Sequence, residues 1–259
     1  MKPRALILFA QGTNRDGDVA RALELAGAQP EIIPLMRLRT QKYTWSNYQM
    51  LVVPGGFSYA DALGAGKLMA LDLAHYFNDQ VQAFVAAGKP VIGICNGFQA
   101  LVKSGILPGR NSQQEIPWAT LTHNAANHFE CRWVSLQPIS QTCLWTKGLD
   151  QVIDCPVAHG EGNFQVSDPA RVNQLLEHDQ VALTYVHPDG RPADGEYPVN
   201  PNGSILDIAG ICNPQGNVLG LMPHPEDHVY LHQTPDRLHR PGFLGLPLFL
   251  NGVRFAASL

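Results

Sequence analysis

The segment Val91-Ile92-Gly93-Ile94-Cys95-Asn96-Gly97-Phe98-Gln99 carries a thiol between two glycines, directly after an apolar run. Gly-x-Cys-x-Gly between a buried strand and a helix has the form of a nucleophile elbow. Small residues two before and two after the nucleophile allow a sharp turn that raises its side chain above the sheet edge. A helix starting just behind Cys95 points its positive end at the sulfur and favours thiolate, the reactive form. The chemistry to expect is acyl transfer through a thioester. The competing reading is that Cys95 is a small buried hydrophobe.

A thiolate nucleophile needs an imidazole to move protons and a carboxylate to fix the ring. Ten histidines are present, so a lone one means little. His224 stands apart by its setting, Val218-Leu219-Gly220-Leu221-Met222-Pro223-His224-Pro225-Glu226. A buried strand delivers it, prolines stiffen both sides, and Glu226 follows two residues on. In extended chain, residues i and i+2 share a face, so Glu226 can reach the ring. Two other readings compete. His224, His228 and His232 lie at i, i+4 and i+8, and a helix could aim them at a metal. His224 could also be a structural turn residue. For the oxyanion, the N–H of Asn96 is one donor, and the Pro54-Gly55-Gly56 turn is the natural second source.

These groups need a scaffold. Ala5–Ala10, Met50–Val53 and Val91–Ile94 read as buried strands. Val19, Leu23 and Ala26 recur at helical spacing up to Gly27, Val81, Phe84 and Val85 mark a helix closed by Gly88, and a third runs from Gly97 to Ser104. Strand, loop and helix in this alternation predict βαβ units and a parallel sheet covered on both faces. The second half changes texture. Phe129–Leu136, Gln151–Ala158, Val181–Val186 and Asn217–Met222 read as strands, Pro169–Glu177 as a helix, and the proline-rich stretch Asp189–Asn202 as a surface loop. The prediction is an α/β fold in one domain, residues 1–259, with a mostly parallel central sheet and an added mixed or antiparallel portion. A tail from about residue 227, with Pro235, Pro241, Gly242, Gly245 and Pro247, is left to surface packing or partner contact.

The chain has 259 residues and a net charge of −4, which argues against a protein held to nucleic acid by phosphate contacts. No run approaches 18 apolar residues, so no membrane span is expected, and Ala5–Ala10 is too short for a signal-peptide core. Five cysteines, Cys95, Cys131, Cys143, Cys155 and Cys212, form no CxxC pair, as suits reduced thiols in the cytoplasm.

Several segments together resemble the class I (triad) glutamine amidotransferases. They are Gly12-Thr13-Asn14, Gly55-Gly56-Phe57-Ser58-Tyr59, Gly93 to Gln99, Phe129-Glu130-Cys131-Arg132-Trp133-Val134, His159-Gly160-Glu161-Gly162-Asn163-Phe164, Asn200-Pro201-Asn202-Gly203-Ser204 and Met222-Pro223-His224-Pro225-Glu226. Within that family the resemblance is to the glutaminase subunits of phosphoribosylformylglycinamidine synthase. It implies a flavodoxin-like fold in which Cys95 attacks the glutamine amide, His224 shuttles protons and Glu226 orients it. It also implies that Gly56 and Asn96 form the oxyanion hole, and that Gly55, Gln99 and the His159–Phe164 loop, including Gly160, take part in binding glutamine. The chain itself would hold no cofactor or metal. Ammonia would pass to a separate synthetase subunit that uses ATP and Mg, with a small third subunit bridging the two. Ala60-Asp61 departs from the usual Gly-Asp, and Leu63-Gly64-Ala65-Gly66 stands where an Arg is common. The other readings are the same chemistry serving a different acceptor, a triad cysteine hydrolase with no ammonia partner, and a non-catalytic scaffold of this fold.

Overall fold

The computed structural model describes residues 2–40, 43–109, 117–235 and 242–259. In chain order the strands are β1 (Arg4–Phe9), β2 (Gln29–Pro34), β3 (Met50–Val53), β4 (Val91–Ile94), β5 (Ala119–Thr122), β6 (Glu130–Pro138), β7 (Ile153–His159), β8 (Asn163–Val166), β9 (Val181–Val186), β10 (Ile208–Cys212) and β11 (Val218–Leu221). The helices are α1 (Asp16–Ala26), α2 (Leu35–Arg39), α3 (Lys67–Leu71), α4 (Asn78–Ala86), α5 (Asn96–Lys103), α6 (Pro169–Glu177) and α7 (Leu246–Ala256).

A nine-stranded sheet runs in the order β2-β1-β3-β4-β11-β10-β9-β6-β7. The first five strands pair parallel, and from β11 through β10, β9 and β6 to β7 every pairing is antiparallel. This is the predicted parallel sheet with an antiparallel portion. Every residue of β3, β4 and β11 is buried, as it must be for central strands covered on both faces. A second sheet pairs β5 with β8 antiparallel.

Helix α1 stops where its sequence predicts. Gly27 adopts φ 101°, its N–H bonds Glu24 O at 3.0 Å, and Ala28 N–H bonds Leu23 O at 2.9 Å, a glycine-dependent C-terminal lock. Helix α6 begins with Asp168 accepting from the Ala170 N–H at 2.8 Å and Pro169 in the first turn. Strand β6 starts one residue later than predicted, at Glu130 paired with His159, and Phe129 ahead of it is half-exposed.

The stretch after Asp227 ends in α7. Gly242 N–H bonds Asp154 Oδ2 at 3.0 Å, and Phe243 exchanges backbone hydrogen bonds with β7 and the residue before it. Leu248, Phe249, Val253 and Ala256 are then buried, with α7 packed on α1. Burying each of the three larger side chains contributes roughly 1.5–3 kcal/mol before entropy is counted. Pro241 lies outside the described residues.

Candidate active site

Strand β4 and helix α5 meet at Cys95. Its backbone has φ 51° and ψ −107°, outside the regions open to an L residue at no cost, worth on the order of 1–3 kcal/mol of strain. Both flanking glycines are required. A Cβ on Gly97 would stand 1.8 Å from Val53 O, and one on Gly93 would stand 2.4 Å from Leu101 Cδ1 and 2.9 Å from the Gly97 carbonyl. The Cys95 N–H bonds Leu221 O at 2.8 Å, and Gln99 N–H closes the first turn on Cys95 O at 3.0 Å. Thus the predicted elbow is formed, with its sulfur 3.7 Å from Ala158 O on β7.

The strand that continues to His224 is β11, the direct parallel neighbour of β4, with Ile94 opposite Leu221. The His224 N–H is pinned to Pro156 O at 2.8 Å. A Cβ on Gly55 would lie 2.8 Å from His224 Cε1 and 3.4 Å from Cys95 Cβ, so imidazole and thiol sit side by side over that glycine. Glu226 Oε1 is 2.7 Å from His224 Nδ1, with both residues buried. The contact is made differently from the sequence expectation. Pro225–Asp227 forms a 3-10 turn rather than extended chain, and the turn swings Glu226 back under the ring. Pro225 at its first position has the fixed φ that such a turn uses. Burial works against a charged His224, but Glu226 and Cys95 outweigh it and raise its pKa well above the usual value. The imidazolium is therefore the favoured form of His224 in this buried site.

Gly56 has φ 128°, and a Cβ there would press to 2.5 Å from Asn14 N. Phe57 N–H bonds Gly12 O at 3.0 Å and Thr13 bridges Gly56, so the early Gly12-Thr13-Asn14 loop cradles the glycine turn beside Cys95. The Asn96 side chain accepts from Ser58 N and Oγ, at 3.2 and 2.5 Å, and donates to Asp61 and Gln99 at 2.9 and 3.1 Å. Its amide N–H is left at the helix start beside the nucleophile. The competing reading of His224, His228 and His232 as metal ligands on one helix does not assemble. His228 Nδ1 lies 2.5 Å from Asp154 O, the His232 ring stacks on Tyr230, and no helix joins them to His224.

Residues 2–256 match the CobB/CobQ-like glutamine amidotransferase domain. The chain belongs to that family. It is 58% identical over 245 residues to phosphoribosylformylglycinamidine synthase subunit PurQ of Treponema denticola, covering 90% of this chain and 91% of the relative. It is 40% identical to the subunit of that name from Dehalococcoides mccartyi, over 100% of this chain and 99% of the relative. Among solved structures, PurLQS from Thermotoga maritima includes a chain similar at TM-score 0.74 and 30% identity, covering 98% of this chain and 99% of that one.

Of the expected pocket residues of this amidotransferase, Gln99 and Gly160 lie at the 159–164 loop, whereas Phe164 is turned into the core. Gln99 is buried, and its amide donates to Glu161 O at 2.6 Å, so it holds the 159–164 loop. Phe164 is a correction. Its ring is fully buried and stacks on Phe98 at 6.3 Å, because β8 turns that side chain into the core under α5. Gly160 sits in the loop with Phe129 3.8 Å from where its Cβ would be, and its carbonyl accepts from Asn124 N–H at 2.9 Å. Sequence reasoning missed Asn124. Its side chain binds His159 O, Gly162 N and the His159 ring at 2.8, 2.9 and 3.2 Å. A single Asn in a polar stretch gives no signal of that role.

His159 itself is buried at the end of β7, and its Nε2 meets no hydrogen-bond partner. Burial, then the nearby positive His224, lower its pKa to about 3. A histidine held neutral in the fold protonates first in the unfolded chain. Its contribution is present above about pH 6.5 and is lost as pH falls from there toward 3. Asp227, raised to about 6 by burial and by Glu226, acts in the opposite direction over an overlapping range, so the wild-type curve alone mixes the two. The comparison to make is with His159→Asn. Between pH 6.5 and 5 the wild type should lose about 2 kcal/mol more than the variant in urea unfolding. Parallel curves would show that His159 is not held neutral.

All five cysteines are free, and Cys131 is the exposed one. Among the described residues, no helix is long and apolar enough to cross a membrane.

Proposed function

We propose that this chain is the glutaminase subunit of phosphoribosylformylglycinamidine synthase. The observation that carries the reading is Cys95 on a strained elbow beside the buried His224–Glu226 pair, in a chain 58% identical to a PurQ subunit across 90% of its length. The Cys95 thiolate attacks the side-chain amide carbon of glutamine, and the N–H groups of Gly56 and Asn96 stabilise the oxyanion. His224 gives its proton to the leaving nitrogen as the C–N bond breaks, and ammonia departs from a glutamyl thioester. His224 then takes a proton from water, the hydroxide attacks the thioester, and glutamate and the free thiol result. Glu226 on Nδ1 holds the ring so that Nε2 faces the sulfur.

In this reading the chain works without a cofactor or metal of its own. The ammonia goes to an ATP- and Mg-dependent synthetase subunit, held with a small bridging subunit, in the cytoplasm. It supports the partnership that the similar chain in Thermotoga maritima comes from a structure named PurLQS. The test is co-purification with candidate synthetase and bridging subunits, followed by assay with glutamine and then with ammonia. The expected result is formylglycinamidine ribonucleotide from both nitrogen sources in the complex and slow glutaminase activity of the chain alone. Vigorous glutamine hydrolysis by the isolated chain, with no synthetase bound, would reject the coupling.

A further inference from the structure

Tyr59, Ala60 and Asp61 form a run of three non-glycine residues in left-handed backbone, with φ of 56°, 54° and 53°. L side chains visit this region rarely and then singly, so a run of three must be held by its surroundings. The run lies between Gly56 and α3, and it is gripped at both ends. On the inner side Asp61 Oδ1 accepts from Asn96 Nδ2 at 2.9 Å, and the preceding Ser58 donates twice to Asn96 Oδ1. On the outer side the Tyr59 hydroxyl donates to Asp72 Oδ2, while Asp72 Oδ1 accepts from the Arg39 guanidinium. Asp72 is only 5% exposed and opens a wide π-type turn, Asp72–Tyr76, that follows α3. Arg39 is in turn stacked 3.8 Å over the Tyr76 ring. Asp72 therefore ties the strained run to a packed outer layer.

We propose that Asp72 is a positioning residue for glutamine cleavage, which through Tyr59 holds the left-handed run that aims the Gly56 and Asn96 amides at the developing oxyanion. This rests on the reading that those two amides form the oxyanion hole. Without the Tyr59 anchor, the run can relax toward ordinary backbone. Asp61 and Ser58 then pull on the Asn96 side chain, and so on the first residue of α5. The amide next to Cys95 shifts with it. A small misalignment of an oxyanion donor is felt in the tetrahedral transition state far more than in bound glutamine. The loss therefore falls on kcat and little on KM. The sulfur itself is untouched, since Asp72 contacts no triad residue.

The experiment uses the complex of the chain with its synthetase partner and the variants Tyr59→Phe, Asp72→Asn and the two combined. Tyr59→Phe removes one hydroxyl and guards against a folding failure of Asp72→Asn. Each single variant should lower glutamine-dependent kcat about tenfold with KM within about twofold, and the double variant should lose no more than either one. Ammonia-dependent synthesis should be unchanged. Alkylation of Cys95 by iodoacetamide, a direct displacement with no oxyanion, should also be unchanged, while a glutamine-like chloroketone should react about tenfold more slowly. Wild-type kcat in Tyr59→Phe, additive losses, or an equal fall in iodoacetamide labelling would each overturn the role given to Asp72. Cys95→Ala run alongside separates the two levels. If it keeps glutamine-dependent synthesis, the triad reading falls. If it loses it while Tyr59→Phe is unaffected, only the Asp72 role falls.

Discussion

Cys95→Ala should remove glutamine-dependent synthesis by roughly 10⁴-fold or more while ammonia-dependent synthesis by the same complex continues. The size follows from what is lost. No other sulfur can take over: Cys155 and Cys212 are buried in the sheet, Cys143 is buried beyond it, and exposed Cys131 lies on β6. His224 and Glu226 remain in place but have no covalent partner to serve. Steady-state assays with each nitrogen source check this directly. Glutamine-dependent turnover in the alanine variant would reject the nucleophile. The ammonia arm separates loss of chemistry from loss of assembly, because a chain that failed to dock would depress both.

The second large effect is on stability. In Gly97→Ala the new methyl would fall 1.8 Å from Val53 O and 2.6 Å from its carbonyl carbon, which are backbone atoms of β3. A side-chain clash can be relieved by a rotamer change, but this one requires α5 to move away from the sheet. Helix α5 is buried at every residue from Asn96 to Val102, so that movement also opens the packing against β4 and β11. The expected loss is about 3 kcal/mol, at the upper end for overpacking. Urea unfolding should show a lower midpoint at an unchanged slope, together with loss of glutaminase activity. A midpoint within error of wild type would mean that the elbow can rearrange and that the glycine is not the reason for its shape.

The elbow was legible because its requirements are local. An apolar strand, two glycines at fixed offsets and a helix are all contiguous in sequence, and Gly93 and Gly97 meet the atoms that such a turn brings close. His224 was legible for a similar reason, since β11 and two prolines flank it. What escaped depends on pairing across long separations. Strands β5 and β8 are short, and each is recognisable only against the other, Thr120 opposite Gln165. Strand β10 is five residues with a central glycine, and strand β2 carries two prolines, which are uncommon within strands. Helix α7 was hidden by the same residues that suit it. Pro247 sits in the first turn, where its missing N–H costs nothing, and Gly252 admits the Trp145 ring, 2.2 Å from where its Cβ would be. Phe164 misled because a residue inside a loop motif was read as pocket wall, whereas alternation along β8 sends it into the core.

Strands β4 and β11 are neighbours in one parallel ladder, and they carry Cys95 and His224, the proposed nucleophile and base, just past matched ends, Ile94 opposite Leu221. The spacing of Cys95 and His224 is thus measured out by interstrand hydrogen bonds, about 4.8 Å per step, and not by the long polypeptide that separates them in sequence. Of the intervening segment, α5 and the β7 residues Pro156 and Ala158 reach the site, so changes that keep the chemistry in register are confined to elements away from it. Within the antiparallel half, β7 holds the site through Pro156 and Ala158, so new surfaces there must leave that strand in place.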